Sequence, residues 1–243
     1  MRGSLSEHAA LSADAYLAWW SLAGVDCAIG ESPVDWLRPA RPAAVAPVAQ
    51  LRAPVAPARP ATLDTFHHWL ATDAGQPESR WSPGRAIMPA GRAGARLMVV
   101  TDMPDPADMQ AGALFADRAG VLLDAMLRAI GLDRDSVYLT AMALARPPGG
   151  LIDAADTAHL VDRMRAQVSL VGPARLLLLG DRTIRALLPT GHDDGPHALR
   201  LFNHEGGTVP AAATFHPRLL MTQPAAKAEC WRALQSLIED PQP

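Results

Sequence analysis

The sequence predicts an α/β fold, a three-layer α/β/α sandwich around a central parallel sheet of four strands. Three observations carry that expectation. Four short apolar runs of β-rich composition lie between residues 97 and 215. Segments with helical apolar spacing separate them, and glycines close several of those segments. Strands that alternate with helices pair in parallel and are covered on both faces. Residues 13–25 have helical spacing, with Ser12 or Asp14 as the cap and Gly24 at the end, and a second turn includes Val34, Trp36 and Leu37. Prolines at 39, 42, 47, 54, 57 and 60 then remove donors and fix φ, so this run reads as an extended linker. Residues 63–71 form a helix through Phe66, Trp69 and Leu70, and 72–95 read as irregular. The strands are 97–101, 136–142, 174–179 and 211–215. The helices between and after them are 117–130, 154–171, a short one to Leu188, and 224–238. The division that follows is a helical extension at 1–37, a Pro/Ala-rich linker at 38–62 and the folded domain at 63–243.

Of the 243 residues, 49% are hydrophobic and 19% charged, which excludes a wholly disordered chain. A core of about 180 residues buries around 70% of its unfolded surface and needs no disulfide. No run of 18 apolar residues suggests a membrane span, and the amino-terminal segment lacks a signal-peptide core, so a cytoplasmic, monomeric protein is expected. Cys27 and Cys230 are too few for a disulfide scaffold or a four-thiolate site. The net charge of -3 argues against a strongly basic, non-specific nucleic-acid binder, although a local basic groove is compatible with it. There is no G-x-G-x-x-G after the first strand and no G-x-x-x-x-G-K-[ST], so a nucleotide cofactor is not expected.

In such folds the loops at the carboxyl ends of the strands build the site. Those ends are 101–105, 141–148, 180–182 and 216–220. The first carries Asp102, Asp105 and Asp108, able to orient water or stabilise a developing cation, or equally to form an acidic surface loop. Gly112-Ala113-Leu114-Phe115 brings a lone aromatic that either stacks on a planar ligand or fills the core. Ala145-Arg146-Pro147-Pro148-Gly149-Gly150 holds Arg146 where it can meet a phosphate or simply turns the chain. Thr214-Phe215-His216-Pro217-Arg218-Leu219-Leu220 sets His216 at a strand end, as an oxyanion donor or a structural histidine. His67, His68, His192, His197 and His204 have no metal-ligand spacing and read as loop residues, and no metal is expected.

Taken together, these segments resemble the uracil-DNA glycosylase superfamily, closest to its family 4 branch, over roughly residues 96–238. Leu179-Gly180, Lys227 with Trp231, and Ala119-Gly120-Val121-Leu122-Leu123 match as well. The resemblance implies hydrolysis of the N-glycosidic bond of a flipped uracil in DNA. It places Asp102, Asp108 and His216 in catalysis. Phe115, with Ala141 and Met103 beside it, falls at the base, and Arg146, Pro217, Arg218 and Leu219 fall along the DNA. On this reading one hollow gathers the carboxylates, the aromatic ring and the imidazole; a ring buried in the interior, or an imidazole facing away from both carboxylates, overturns the repair-enzyme reading and leaves only the layered architecture.

The departures are specific. Ala141 stands where the family has a base-reading asparagine, a loss of about 1–3 kcal/mol of discrimination. Met103, Thr101 and Asp105 replace glycines, and Leu114 replaces a proline. The family's iron–sulfur cysteines are absent: Ala145 and Leu160 occupy two of those positions and 66–85 contain no cysteine. No cluster is expected, and Phe66, Trp69 and Trp81 are left to hold that region by packing. A binding module without base excision, and an interaction protein that uses its amino-terminal arm on a protein partner, are the alternatives.

Overall fold

The computed structural model describes residues 60–188 and 199–238, together with 16, 18–20 and 22. The chain divides into two units, Met1–Val55 and Ala56–Pro243. In the first, the described residues are helical, with the Trp20 ring edge-on to Tyr16 and Trp19. The turn expected at 34–37, the proline run as far as 59, Cys27, His192 and His197 lie outside the described residues.

The second unit is built on five strands, β1 (Leu97–Thr101), β2 (Tyr138–Ala141), β3 (Arg175–Leu179), β4 (Arg200–His204) and β5 (Gly207–Thr214). Their order is β2-β1-β3-β5-β4. The first four of these positions pair in parallel, with Val99 opposite Leu139 and Leu177, and Leu178 opposite Ala213. β4 pairs antiparallel with β5 at the edge. It corrects the four-strand expectation for a visible reason. Its sequence is Arg-Leu-Phe-Asn-His, only Phe202 is buried, and its outer face is solvated. Pro210 masks the first half of β5, tolerated because it lies beside this edge.

The helices follow sequence cues. α1 (Leu63–Thr72) starts at a Thr62–Thr65 capping box. α2 (Pro77–Trp81) is one turn inside the segment expected to be irregular. α3 (Pro106–Ala111) and α4 (Arg118–Ala129) begin at Asp105 and Asp117. α5 (Ala154–Val171) has Asp153 accepting from the Asp156 amide at 2.7 Å and Gly172 in the left-handed region at its end. α6 (Asp181–Leu187), α7 (Pro217–Thr222) and α8 (Lys227–Gln235) complete the unit. α3 and α7 are only six residues each, too short to register as periodicity. Both have proline at the first turn, which pre-sets φ where no amide partner is needed.

Strand alternation sorts the core into two layers. Leu97, Val99, Leu177 and Leu179 pack with Leu123 and Leu127 of α4, Leu220 of α7 and Leu234 of α8. Met98, Val100, Leu176 and Leu178 point the other way onto Leu160, Met164 and Val168 of α5. A third cluster joins Phe66, Leu70, Leu144 and Ala166, with Trp69 against it. Trp81 packs on the α5 layer. Beneath these lies a buried ion pair that the sequence did not announce. Arg163 grips both oxygens of Glu78, at 2.6 and 3.0 Å, and also donates to Gln76 and to the Met142 carbonyl at 2.7 Å. Glu78 accepts from the Leu144 amide at 2.8 Å. Among the described residues no helix is long and apolar enough to cross a membrane.

Candidate functional site

The carboxyl ends of β1, β3 and β5 open on a hollow of about 390 Å³ bordered by Asp102, Met103, Asp105, Arg146, Arg182 and His216. Strand pairing carries on past the formal strand ends and fixes its floor. Met142 donates to the Thr101 carbonyl at 2.8 Å and Ala143 to that of Asp102 at 2.9 Å. The Asp102 carboxylate is 27% exposed at the rim and lies 4.0 Å from Arg182. Arg182 also donates to the Gly150 carbonyl at 2.9 Å, and Arg146 to that of Pro104 at 3.3 Å, so two arginines tie neighbouring loops around the opening.

His216 is the N-cap of α7, and its Nδ1 accepts from the Arg218 amide at 3.2 Å. An accepting Nδ1 leaves the proton of the neutral ring on Nε2. Among the described residues no hydrogen bond occupies Nε2. Burial pulls the imidazole pKa below its ordinary 6.5, and the neighbouring Asp105 and Asp102 only partly oppose it. The hollow is therefore lined by an imidazole that burial favours as neutral and by a carboxylate, groups able to stabilise an anion on one part of a ligand and a cation on another.

The other expected site residues are placed differently. Phe115 does not border the hollow: it is 4% exposed within the core, and its ring lies against the imidazole at 5.4 Å and 22°. The base-stacking face is covered by His216. Asp108 is buried too, because its carboxylate closes the α3 capping box on the Asp105 amide at 3.0 Å and accepts from Ala116 at 2.8 Å. It anchors the Phe115 loop and is not positioned to hold water in the hollow. Ala141, at the end of β2, is buried in the core with no polar edge to offer. Met103 does border the hollow, with its chain packed into the α5 layer.

Arg218 is not a free cation. It bridges Asp105 and Asp117, the latter at 2.7 Å, and so clamps α3, α4 and α7 together. The segment expected as a DNA-entering loop is helical, with Pro217 buried and Leu219 half-buried. His67, read as a loop residue, sits on α1 and meets the buried Tyr138 hydroxyl at 2.6 Å. Arg182 is the residue that motif reading passed over. Its signal was position alone: Gly180-Asp181-Arg182 follows β3, where the strand-end rule places a site.

Among the described residues no group of histidine, cysteine and carboxylate side chains is arranged to hold a metal ion. Ala145 and Leu160, where the resemblance sets two cluster thiolates, are fully buried apolar side chains. The residues present do not fit a [4Fe–4S] cluster. Cys230 is a free, buried thiol on α8.

Comparison with known proteins gives two findings. A family model described as the uracil DNA glycosylase superfamily matches residues 88–235. A type-4 uracil-DNA glycosylase from Pyrobaculum aerophilum is 26% identical over 157 residues, covering 60% of this chain and 76% of the relative.

Proposed function

Because the chain belongs to the uracil DNA glycosylase superfamily, we propose that it binds DNA with an extruded uracil in the Asp102–His216 hollow and hydrolyses the N-glycosidic bond. The observation that carries this reading is that Asp102 and His216, whose Nδ1 accepts an amide proton and whose ring is favoured as neutral by burial, line one cavity. When the bond from the sugar carbon to the base nitrogen breaks, its electron pair leaves with the base. The negative charge on the uracil oxygen then meets the Nε2–H donor. The positive character left on the sugar faces Asp102, which also orients the water that adds there; the sugar carbon keeps the hydroxyl, and the proton the water loses ends on the uracil anion, which leaves as neutral uracil. A donor aimed at a developing oxyanion contributes about 10²–10³ in rate. Phe115, buried and covered by the imidazole, gives the base no stacking partner, so the condition that ring, imidazole and carboxylates share one hollow is not met; superfamily membership and the Asp102–His216 pair are what support the proposal.

The purified protein should release uracil from a single-stranded oligonucleotide, His216→Ala should slow release about 100-fold, and Asp102→Asn should slow it comparably. An intact oligonucleotide under conditions where a family-4 enzyme cleaves it overturns the catalytic reading. A second reading, DNA binding without excision, is favoured by the buried Ala141 and the covered Phe115. A gel shift with abasic and uracil-containing DNA separates the two, since retention without turnover selects binding alone.

A further inference from the structure

A second hollow, of about 340 Å³, adjoins the first and is used by nothing described above. Met142, Ile152 and Ala186 give it an apolar lining, to which Thr157 of α5, Arg182 and Arg185 add polar groups. Asp102 and Arg182 border both cavities, so the two form one trough divided by a charged ridge. From this geometry we infer that the second hollow takes the nucleotide next to the extruded one on the same single strand. The phosphodiester between the two then crosses the ridge beside Arg182. The inference rests on the DNA-binding reading of the first cavity.

Chemistry favours this occupant over a separate small molecule. A nucleobase offers a flat apolar face to an aliphatic lining, and sequence-tolerant strand binding joins such faces to cations along the backbone. Arg182 has five N–H donors and commits one nitrogen to Gly150, which leaves the others for phosphate oxygens. Its neighbour Arg185 pairs, among the described residues, with Asp181 at 2.7 Å on the exposed surface, and such pairs exchange readily for a phosphate. Asp102 on the ridge repels a phosphate, and Arg182 at 4.0 Å compensates that charge. The continuity matters because Arg218, one of the two cations the motifs suggested, is already held by two carboxylates.

Three single-stranded oligonucleotides test the idea by fluorescence anisotropy, each with one tetrahydrofuran abasic analogue placed internally, at the 5′ end or at the 3′ end. Wild type should bind the internal site about tenfold more tightly than one of the two terminal ones, because that one lacks the neighbouring base. Ala186→Trp, which fills the hollow, should bring internal binding down to the same level and leave the weaker terminal oligonucleotide unchanged. Thr157→Trp, from a different helix, repeats the test should Ala186→Trp not fold, and the wild-type comparison needs no variant at all. Equal affinity of wild type for all three oligonucleotides, or tryptophan variants that keep the tenfold preference, overturns the second subsite. Failure of wild type to bind any of them overturns the DNA reading itself, and this inference with it.

Discussion

His216 serves two ends at once because its nitrogens are chemically distinct. Nδ1 completes the start of α7 by accepting an amide proton, which obliges the neutral ring to carry its hydrogen on Nε2. Burial favours that neutral ring. In a ¹⁵N NMR titration, His216 should be the Nε2–H tautomer at pH 6.5, where an ordinary histidine is half protonated. Detection of imidazolium there removes the neutral donor. The sign of the linkage follows. With the folded-state pKa lowered, the unfolded chain takes up the proton first as pH falls through 6.5, so this residue subtracts stability below that value and not above it. Acidification also turns Nδ1 from acceptor to donor against the Arg218 amide, which undoes the cap.

At the scale of elements, the loop from α3 to α4 stores the main backbone irregularity. Phe115 has φ +54°, the left-handed region that disfavours a side chain. Three contacts hold it there: Asp108 accepts the Ala116 amide, Arg134 donates to the carbonyls of Leu114 and Phe115, and Gly120 lets the Phe115 carbonyl rest on α4. A Cβ on Gly120 would lie 1.8 Å from that oxygen. Gly120→Ala should therefore cost about 1–3 kcal/mol in thermal unfolding and shift the Phe115–His216 stack, with a matching loss of DNA binding. Unchanged stability and binding would show that the loop adapts freely. Strain concentrated beside a candidate site and fixed from three sides keeps the imidazole in register.

At the scale of the molecule, the Glu78–Arg163 pair connects α2 and α5 to the strand-end segment that leads to Arg146. Both side chains are almost fully buried. Burial alone would raise the Glu78 pKa, but hydrogen bonds and charge from Arg163, with the Leu144 amide, hold it below its ordinary 4.5. This stabilisation is present above about pH 4.5 and is lost as pH falls through the lower, folded-state pKa. Glu78→Gln leaves Arg163 without a counter-charge and should cost about 3–5 kcal/mol. That corresponds to a drop in Tm on the order of 10 °C, and the variant should also lack the wild type's acid-dependent loss in that window. An unaltered Tm would demote the pair to a passive contact. Ala145, next to the Leu144 amide that Glu78 accepts from, is a fully buried apolar side chain, and the ion pair and the Phe66 cluster pack around that segment.

Much of this protein can be read along the chain. Local apolar period and caps set α1, α4, α5 and the four parallel strands, because helix spacing and strand alternation are properties of neighbours in sequence. The Thr101–Asp105 and Thr214–Leu220 segments likewise declare themselves, since a site at strand ends follows from the topology. Burial and pairing belong to the folded state alone. Arg218 reads as a free cation until two N-cap carboxylates more than a hundred residues away neutralise it. Phe115 reads as a platform until the imidazole covers it, and Asp108 reads as a carboxylate that orients water or stabilises a cation until two amides claim it. Arg182 carries no motif and comes to line the candidate hollow because parallel pairing sets the end of β3 beside that of β1. A linear pattern records which faces are apolar, but charge compensation depends on distance in space, which only chain closure establishes.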